Sequence, residues 1–191
     1  MAVKEEKNSN WPTKLRIASD FKIKAHQETI NYLLENGAKI LLVSHHDNLE
    51  SFLPIIEEIG AVLGQTISLV PHAELSSLSI LFQGDLLLLL DNIRQDPREE
   101  KNDEGLAQEI TRSEGVEGSK GFDFFVNDAF AVSHRNHSLV TSITKFLPSY
   151  AWFLIKKEVE NLSQAIEASA KGKVLVLGGA KISTKLPVIQ N

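Results

Sequence analysis

The sequence predicts an α/β fold built on a parallel sheet, and three observations carry that expectation. Four short apolar runs, Ile40–Val43, Leu86–Leu90, Phe122–Val126 and Val174–Leu177, are nearly continuous rather than alternating. Strands covered on both faces of a parallel sheet read this way, because neither face meets water. Helical periodicity fills the intervals between the runs. Polar, anion-compatible residues follow every run, at the carboxyl ends of parallel strands where ligands collect.

In HQETINYLLENG, the residues Ile30, Leu33 and Leu34 make one apolar face, and Gly37 supplies a C-terminal stop. Ile40–Val43 follows as the first buried strand. In NLESFLPIIEEIGAVLG, the residues Leu49, Phe52, Leu53, Ile56, Ile59 and Leu63 keep the helical period. Pro54 fits the first turn of that helix, where a missing N–H costs little. Leu86–Leu90 is short for a helix, and Gly84-Asp85 and Asp91-Asn92 bracket it as a strand.

Residues 95–120 are polar and loop-rich, and Phe122–Val126 is the third strand. A longer helix is expected after Pro148, where Ile155, Val159, Leu162 and Ile166 recur at spacings of four, three and four. Val174–Leu177 forms the fourth strand. No internal repeat or low-complexity tract interrupts this order.

With 191 residues and 42% hydrophobic content, the chain can bury a sizeable core. A net charge of −5 argues against general nucleic-acid or membrane binding. The charge is uneven: residues 171–191 hold four lysines and no acid, a cationic patch suited to an anion. The absence of cysteine excludes disulfides and thiolate metal sites. No apolar stretch approaches the roughly 20 residues that span a bilayer. The start, MAVKEEKNSN, has no apolar signal core, so a cytoplasmic location is expected.

Candidate chemistry lies at the strand exits. Ser44, His45 and His46 follow the first run; Asp91, Asn92, Ile93 and Arg94 follow the second. Asn127 and Asp128, with His134 and Arg135 beyond, follow the third; Gly178, Gly179, Ala180 and Lys181 follow the fourth. Arg94 could grip a phosphate or carboxylate through its planar fork, or pair at the surface with Asp91 or Asp96. His134, Arg135 and His137 place three potentially cationic groups within four residues, which suits a phosphate. Histidines there could equally cap a helix or bond in the core.

Lys181 and Lys185 share a face if the turn continues as a helix. Gly178 and Gly179 would let a phosphate approach backbone N–H groups at that helix start. From the residues alone, two solvated lysines explain this stretch as well. It lacks the GxxxxGK[ST] pattern, so it is not a P-loop.

LDNIRQDPREEKND, VNDAFAVSHRNHS and VLGGAKISTKLPVIQN resemble, in order and spacing, three signature stretches of phosphoglycerate kinases. KIKAHQETINYLLENGAKILLVSHH is similar to the early helix–strand unit of that family, and LPSYAWFLIKKEVENLSQAI to its interdomain helix. The resemblance runs from about Ser19 to Asn191. It implies a three-layer, Rossmann-like N-terminal lobe over residues 1–150 that binds phosphoglycerate. An interdomain helix over 151–172 and the first strand and turn of an incomplete nucleotide-binding lobe over 173–191 would follow.

The activity implied is a glycolytic phosphotransferase that converts 1,3-bisphosphoglycerate and ADP to 3-phosphoglycerate and ATP, with Mg2+ accompanying the nucleotide. Lys22 and Lys181 are then catalytic, neutralising the phosphoryl group in flight. His45, Arg94, His134 and Arg135 bind the substrate, and Gly178, Gly179, Lys181 and Lys185 bind nucleotide phosphates. Neither nucleic acid nor membrane is an implied partner, no protein side chain is implied as a metal ligand, and the family is usually monomeric. Acyl-phosphate transfer needs no strong base, so Asp128 is expected to cap a turn or orient Arg135.

The chain also departs from the family pattern. Lys22 stands where an arginine is expected, keeping the charge but losing the bidentate fork. SHHDNL replaces S-H-L-G-R-P, so Asn48 stands where an arginine belongs. Trp152 replaces a glycine, and MAVKEEKNSNWPTKLR offers no equivalent of the first strand with its R-x-D-[FL]-N-V-P loop. With most of the nucleotide lobe absent, negligible turnover is expected of this chain alone. A non-catalytic anion-binding remnant and one half of a split enzyme are the alternatives.

Overall fold

The computed structural model describes residues 2–6, 14–112, 121–169, 171 and 174. The chain divides into two compact units, Met1–Glu158 and Val159–Asn191. The first opens with an antiparallel hairpin of β1 (Ala2–Glu6) and β2 (Lys14–Ser19), in which Val3 faces Ile17. Helices α1 (Phe21–Lys24) and α2 (Gln27–Glu35) lead into β3 (Ile40–Leu42). A 3-10 turn, Leu53–Ile55, feeds α3 (Ile56–Leu63), followed by β4 (Ser68–Val70), α4 (Leu78–Leu81) and β5 (Leu87–Leu90).

Beyond β5 come the turn Ile93–Gln95, α5 (Pro97–Glu100) and α6 (Glu104–Thr111). Then β6 (Phe125–Asn127), two 3-10 turns at Phe130–Val132 and Ser142–Lys145, β7 (Ser149–Ala151) and α7 (Phe153–Glu167) complete the described elements.

The parallel α/β architecture expected from the sequence is present. β5 lies between β3 and β4, with Ile40 opposite Leu87 and Val70 opposite Leu90, all parallel. A central strand meets apolar side chains on both faces, and all four residues of β5 are buried. Leu88 and Leu90 pack with Val70, Leu78, Leu106 and Ile110 on one side. Leu87 and Leu89 pack with Ile30, Phe52, Ile55 and Leu63 on the other. Each such side chain contributes roughly 1.5–3 kcal/mol by leaving water. That two-sided burial is why the strand reads as an unbroken run of leucines.

Three features differ from the sequence expectation. β6 and β7 pair in a separate two-stranded parallel sheet, and no ladder joins β6 to β3 among the described residues. β6 begins at Phe125 rather than Phe122, because the Phe122 ring packs edge-on against Phe82 at 6.2 Å and against the core. A strand intervenes between Pro148 and the long helix, since Ser149–Ala151 pairs with β6 before Phe153 starts α7. The predicted strand Val174–Leu177 lies outside the described residues apart from Val174, which is exposed.

The helix-stop signals hold, but the helical period read from Leu49 starts too early, since Leu49 and Phe52 are buried in the loop ahead of α3. Gly37 and Gly64 follow α2 and α3 with φ of +77° and +70°, the left-handed conformation that terminates helices without a Cβ clash. Pro54 sits in the opening turn ahead of α3. On α7, Ile155 is buried, whereas Val159, Leu162 and Ile166 are exposed.

Candidate anion-binding site

The exits of β3 and β5 are held together by one buried side chain. Asn92, fully buried, lies just beyond β5 and reaches across to the loop after β3. Its Nδ2 donates to the carbonyls of His46, at 2.7 Å, and Leu49, while its Oδ1 accepts from the His46 N–H at 2.9 Å. Asp91 adds to this: its Oδ1 accepts from the N–H groups of Phe52 and Asn92, each at 2.8 Å. Loop residues 44–49 are thereby pinned beside the turn that carries Arg94. The fully buried amide of Asn92 would otherwise be unsatisfied in the core.

The segment that carries Arg135 is fixed in the same manner. Asp96 caps α5, accepting from the Arg98 N–H at 2.9 Å, with Pro97 in the first turn. The buried Glu99 carboxylate on α5 accepts from Leu139 N–H at 3.0 Å, and its carbonyl accepts from Ser138 N–H at 2.9 Å. Ser138 Oγ, also buried, lies 3.0 Å from Arg98 O and 2.8 Å from Asp103 O, sharing one proton between two acceptors. Ser142 Oγ does likewise with the backbone and side-chain oxygens of Asn102. Small hydroxyls thus stitch residues 138–142 onto α5 and the turn after it.

What results is a cluster. Arg94, only 11% exposed, donates through Nε to Asp47 at 2.9 Å and through Nη1 to Glu100 at 2.6 Å. Burial, then the charges of Arg94 and Arg135, hold the His45 imidazole below its ordinary pKa. The same causes in the same order depress His137. The hydrogen bond from Arg94 holds the Asp47 carboxyl below the usual carboxylate range, with His45 and Arg135 adding to it. Residues from three strand exits therefore feel one another, and both imidazoles are biased toward neutrality.

The predicted substrate residues His45, Arg94 and Arg135 come together, and His134 joins at the rim, exposed and acting on His137. Arg94 pairs with Asp47 and Glu100 rather than with Asp91 or Asp96. Lys22 is exposed on α1 and makes no ion pair among the described residues. The Trp152 ring packs against Tyr32 and Phe153, at 5.9 and 5.6 Å. Gly178, Gly179, Lys181 and Lys185 lie outside the described residues.

Asp128 corrects an expectation. Its oxygens engage Leu154 N–H at 2.9 Å and His26 Nδ1 at 3.0 Å, so it ties the start of α7 to the start of α2 instead of orienting Arg135. The turn-capping role belongs to Asn127, whose Oδ1 accepts from Ala129 N–H at 3.0 Å. Ser138, Glu99, Asp47 and Glu100 were not singled out by sequence, and Asn92 was named only as one of the residues at a strand exit. An Asn directly after a buried strand was the one available signal, since a buried amide must find partners.

Residues 2–191 match the family model described as Phosphoglycerate kinase. That match starts well before Ser19, so the N-terminal hairpin falls within the similarity expected only from Ser19 onward. A phosphoglycerate kinase of Coprothermobacter proteolyticus is 42% identical over 186 residues, covering 92% of this chain and 45% of the relative. One from Herpetosiphon aurantiacus is 36% identical with the same coverage. The crystal structure of phosphoglycerate kinase from Pyrococcus horikoshii superposes with a TM-score of 0.76 at 28% identity, over 92% of this chain and 45% of that one. The chain spans about half the length of the curated relatives it matches.

Proposed function

Because the chain belongs to the phosphoglycerate kinase family, we propose that its basic cluster holds the phosphate of phosphoglycerate. The activity it serves is that of a phosphotransferase converting 1,3-bisphosphoglycerate and ADP to 3-phosphoglycerate and ATP, a step of glycolysis. The convergence of His45, Arg94 and Arg135 from three strand exits carries this reading. Arg135 makes no ion pair among the described residues, so its guanidinium fork is open to a phosphate. His45, biased toward its neutral form, offers an N–H and gains affinity for a proton when an anion arrives.

In the transfer, the bond between the carboxyl oxygen and phosphorus breaks, and phosphorus gains an oxygen of the acceptor diphosphate. The leaving carboxylate is already a stable anion, so positioning and charge neutralisation carry the step. Consistent with this, Asp128 is committed to structural bonds and need not serve as a base. Lys22, with its ammonium in solvent, is assigned to the charge on the moving phosphoryl group. Mg2+ with ADP or ATP, when bound, supplies the other reactant, and Gly178, Gly179, Lys181 and Lys185 are assigned to its phosphates.

A second reading is a module that binds phosphoglycerate without turnover by itself. The engagement of Arg94 by two carboxylates, together with Asn48 at an arginine position, favours it. Calorimetric titration with 3-phosphoglycerate, repeated on Arg135→Ala, tests the shared premise. Loss of a charge-assisted phosphate contact should weaken binding roughly tenfold or more. Equal affinity in the two proteins would overturn it. A coupled assay then separates the readings: turnover near the enzyme median of about 10 s⁻¹ excludes the second.

A further inference from the structure

We propose that Asp47 is an internal anion seated in this site, which an incoming group must displace from Arg94, so that dianionic phosphate is admitted and monocarboxylates are excluded. The proposal rests on the reading of the cluster as an anion site and adds what controls entry to it.

Arg94 is largely buried, and two of its donors are occupied, one by Asp47 and one by Glu100. With both imidazoles biased toward neutral, the two arginines are offset by Asp47 and Glu100, and the buried Glu99 also faces Arg94. A free anion therefore meets little net positive charge until one carboxylate leaves.

Glu100, 60% exposed, could also leave, but Asp47 is the carboxylate that faces His45 and Arg135 as well as Arg94. Its side chain is 70% exposed, and Arg94 is its one hydrogen-bond and ion-pair partner among the described residues. The backbone on either side is fixed through His46 and Leu49 by Asn92, so the carboxylate can rotate outward without moving the loop. It also interacts with Arg94, His45 and Arg135 together, the groups an arriving phosphate would use. Glu100 stands at the end of α5 and pairs with Arg94 at a different nitrogen. Asp47 occupies the place of the glycine in S-H-L-G-R-P, so this chain carries a charge where the family pattern has no side chain.

A phosphate dianion gains two charges' worth of attraction on displacing a single carboxylate. A monocarboxylate exchanges like for like and pays ordering entropy besides. The discrimination thus follows from charge rather than from shape.

The test is calorimetric titration of the full chain, Asp47→Ala and Glu100→Gln with inorganic phosphate, with acetate and with 3-phosphoglycerate. Circular dichroism on each variant confirms folding; Asp47 is exposed, so its removal leaves the core intact. In Asp47→Ala, phosphate should bind roughly tenfold tighter and acetate binding should become measurable. Glu100→Gln should change phosphate affinity by clearly less. Unchanged or weaker phosphate affinity in Asp47→Ala, or equal tightening in both variants, overturns the proposal. If Asp47→Ala tightens inorganic phosphate but 3-phosphoglycerate binds neither protein, the proposal stands and the substrate assignment fails. If 3-phosphoglycerate binds the wild type and Asp47→Ala alike and inorganic phosphate gains nothing either, the assignment stands and the proposal fails. Silence of all three proteins toward every ligand removes both.

Discussion

The side-chain amide of Asn92 pairs with the main chain of His46 in both directions, accepting from its N–H at 2.9 Å and donating to its carbonyl at 2.7 Å. An amide used in this way imitates a neighbouring strand. It carries contact between the two chain segments beyond the end of the β3–β5 ladder, to the residue next to His45. A third bond, to the Leu49 carbonyl, sets where that loop ends.

Asn92→Ala is therefore expected to be costly for stability and for binding together. It leaves the His46 N–H without its partner and removes the shorter of two bonds to the His46 carbonyl, in a part-buried setting, which should cost about 1–3 kcal/mol in urea unfolding. Anion affinity should fall as well, because the His45 loop loses its anchor. Asn92→Asp should be at least as damaging at neutral pH, since a carboxylate would face two carbonyl oxygens. A stability loss under 1 kcal/mol for Asn92→Ala would show that the loop is held by other means.

Glu99 predicts an effect of opposite sign. Burial pushes its carboxyl pKa up, only partly offset by the bond from Leu139 N–H and the charge of Arg94. A carboxyl whose folded pKa is raised adds stability that is fully present below its unfolded value, near 4.3, and lost as pH rises through the folded value. Glu99→Gln keeps an oxygen for Leu139 N–H and removes the buried charge. The variant should melt above the wild type at pH 7.5 and at nearly the same temperature at pH 4. A variant less stable than wild type at pH 7.5 contradicts this account.

Legibility in the sequence followed burial. β5 was plain because two-sided burial admits only apolar side chains, and β3 was plain for the same reason in weaker form. β4 escaped notice because Ser68 breaks its apolar run, bonding instead to Asp85 at 2.6 Å. β7 escaped because all three of its residues are exposed and so carry no hydrophobic signature. The hairpin of β1 and β2 is mostly polar, and its pairing is set by main-chain bonds that composition does not record.

The site divided along similar lines. His45, Arg94 and Arg135 were legible because a cation after a buried strand has few purposes. The acids that answer Arg94 were not, since Asp47 and Glu100 lie 47 and 6 residues away in sequence and meet it only through the fold. Asp128 shows the converse. Its place at a strand exit suggested a role at the phosphate site, but its partners, His26 and Leu154, are fixed by where α2 and α7 begin.

Gly60 offers a test of packing against propensity. It lies buried in α3, where alanine normally gains up to about 1 kcal/mol over glycine. A Cβ at this position would stand 2.8 Å from the Gln65 carbonyl, which is backbone in the turn that ends the helix. That turn is itself closed by a 3.0 Å bond from Gln65 N–H to Gly60 O. Gly60→Ala should therefore destabilise, by roughly 1–3 kcal/mol from overpacking. A stabilised Gly60→Ala protein would show that the α3–β4 turn shifts without cost.

Asp128 sets the expected acid sensitivity. Burial raises its pKa, but the bonds from His26 and from Leu154 N–H outweigh burial, and the net shift is downward. The buried Thr29 hydroxyl also faces this carboxylate while falling short of hydrogen-bond geometry. A carboxylate with a depressed folded pKa contributes stability that is present above its unfolded value, near 3.9, and lost as pH falls through the folded value. Asp128→Asn should thus cost about 1–3 kcal/mol at pH 6, with the difference from wild type shrinking below pH 4. Urea unfolding of both proteins across that range decides the matter, because an energy gap that persists undiminished at pH 2 would mean the carboxylate's charge plays no part in holding α7 to α2.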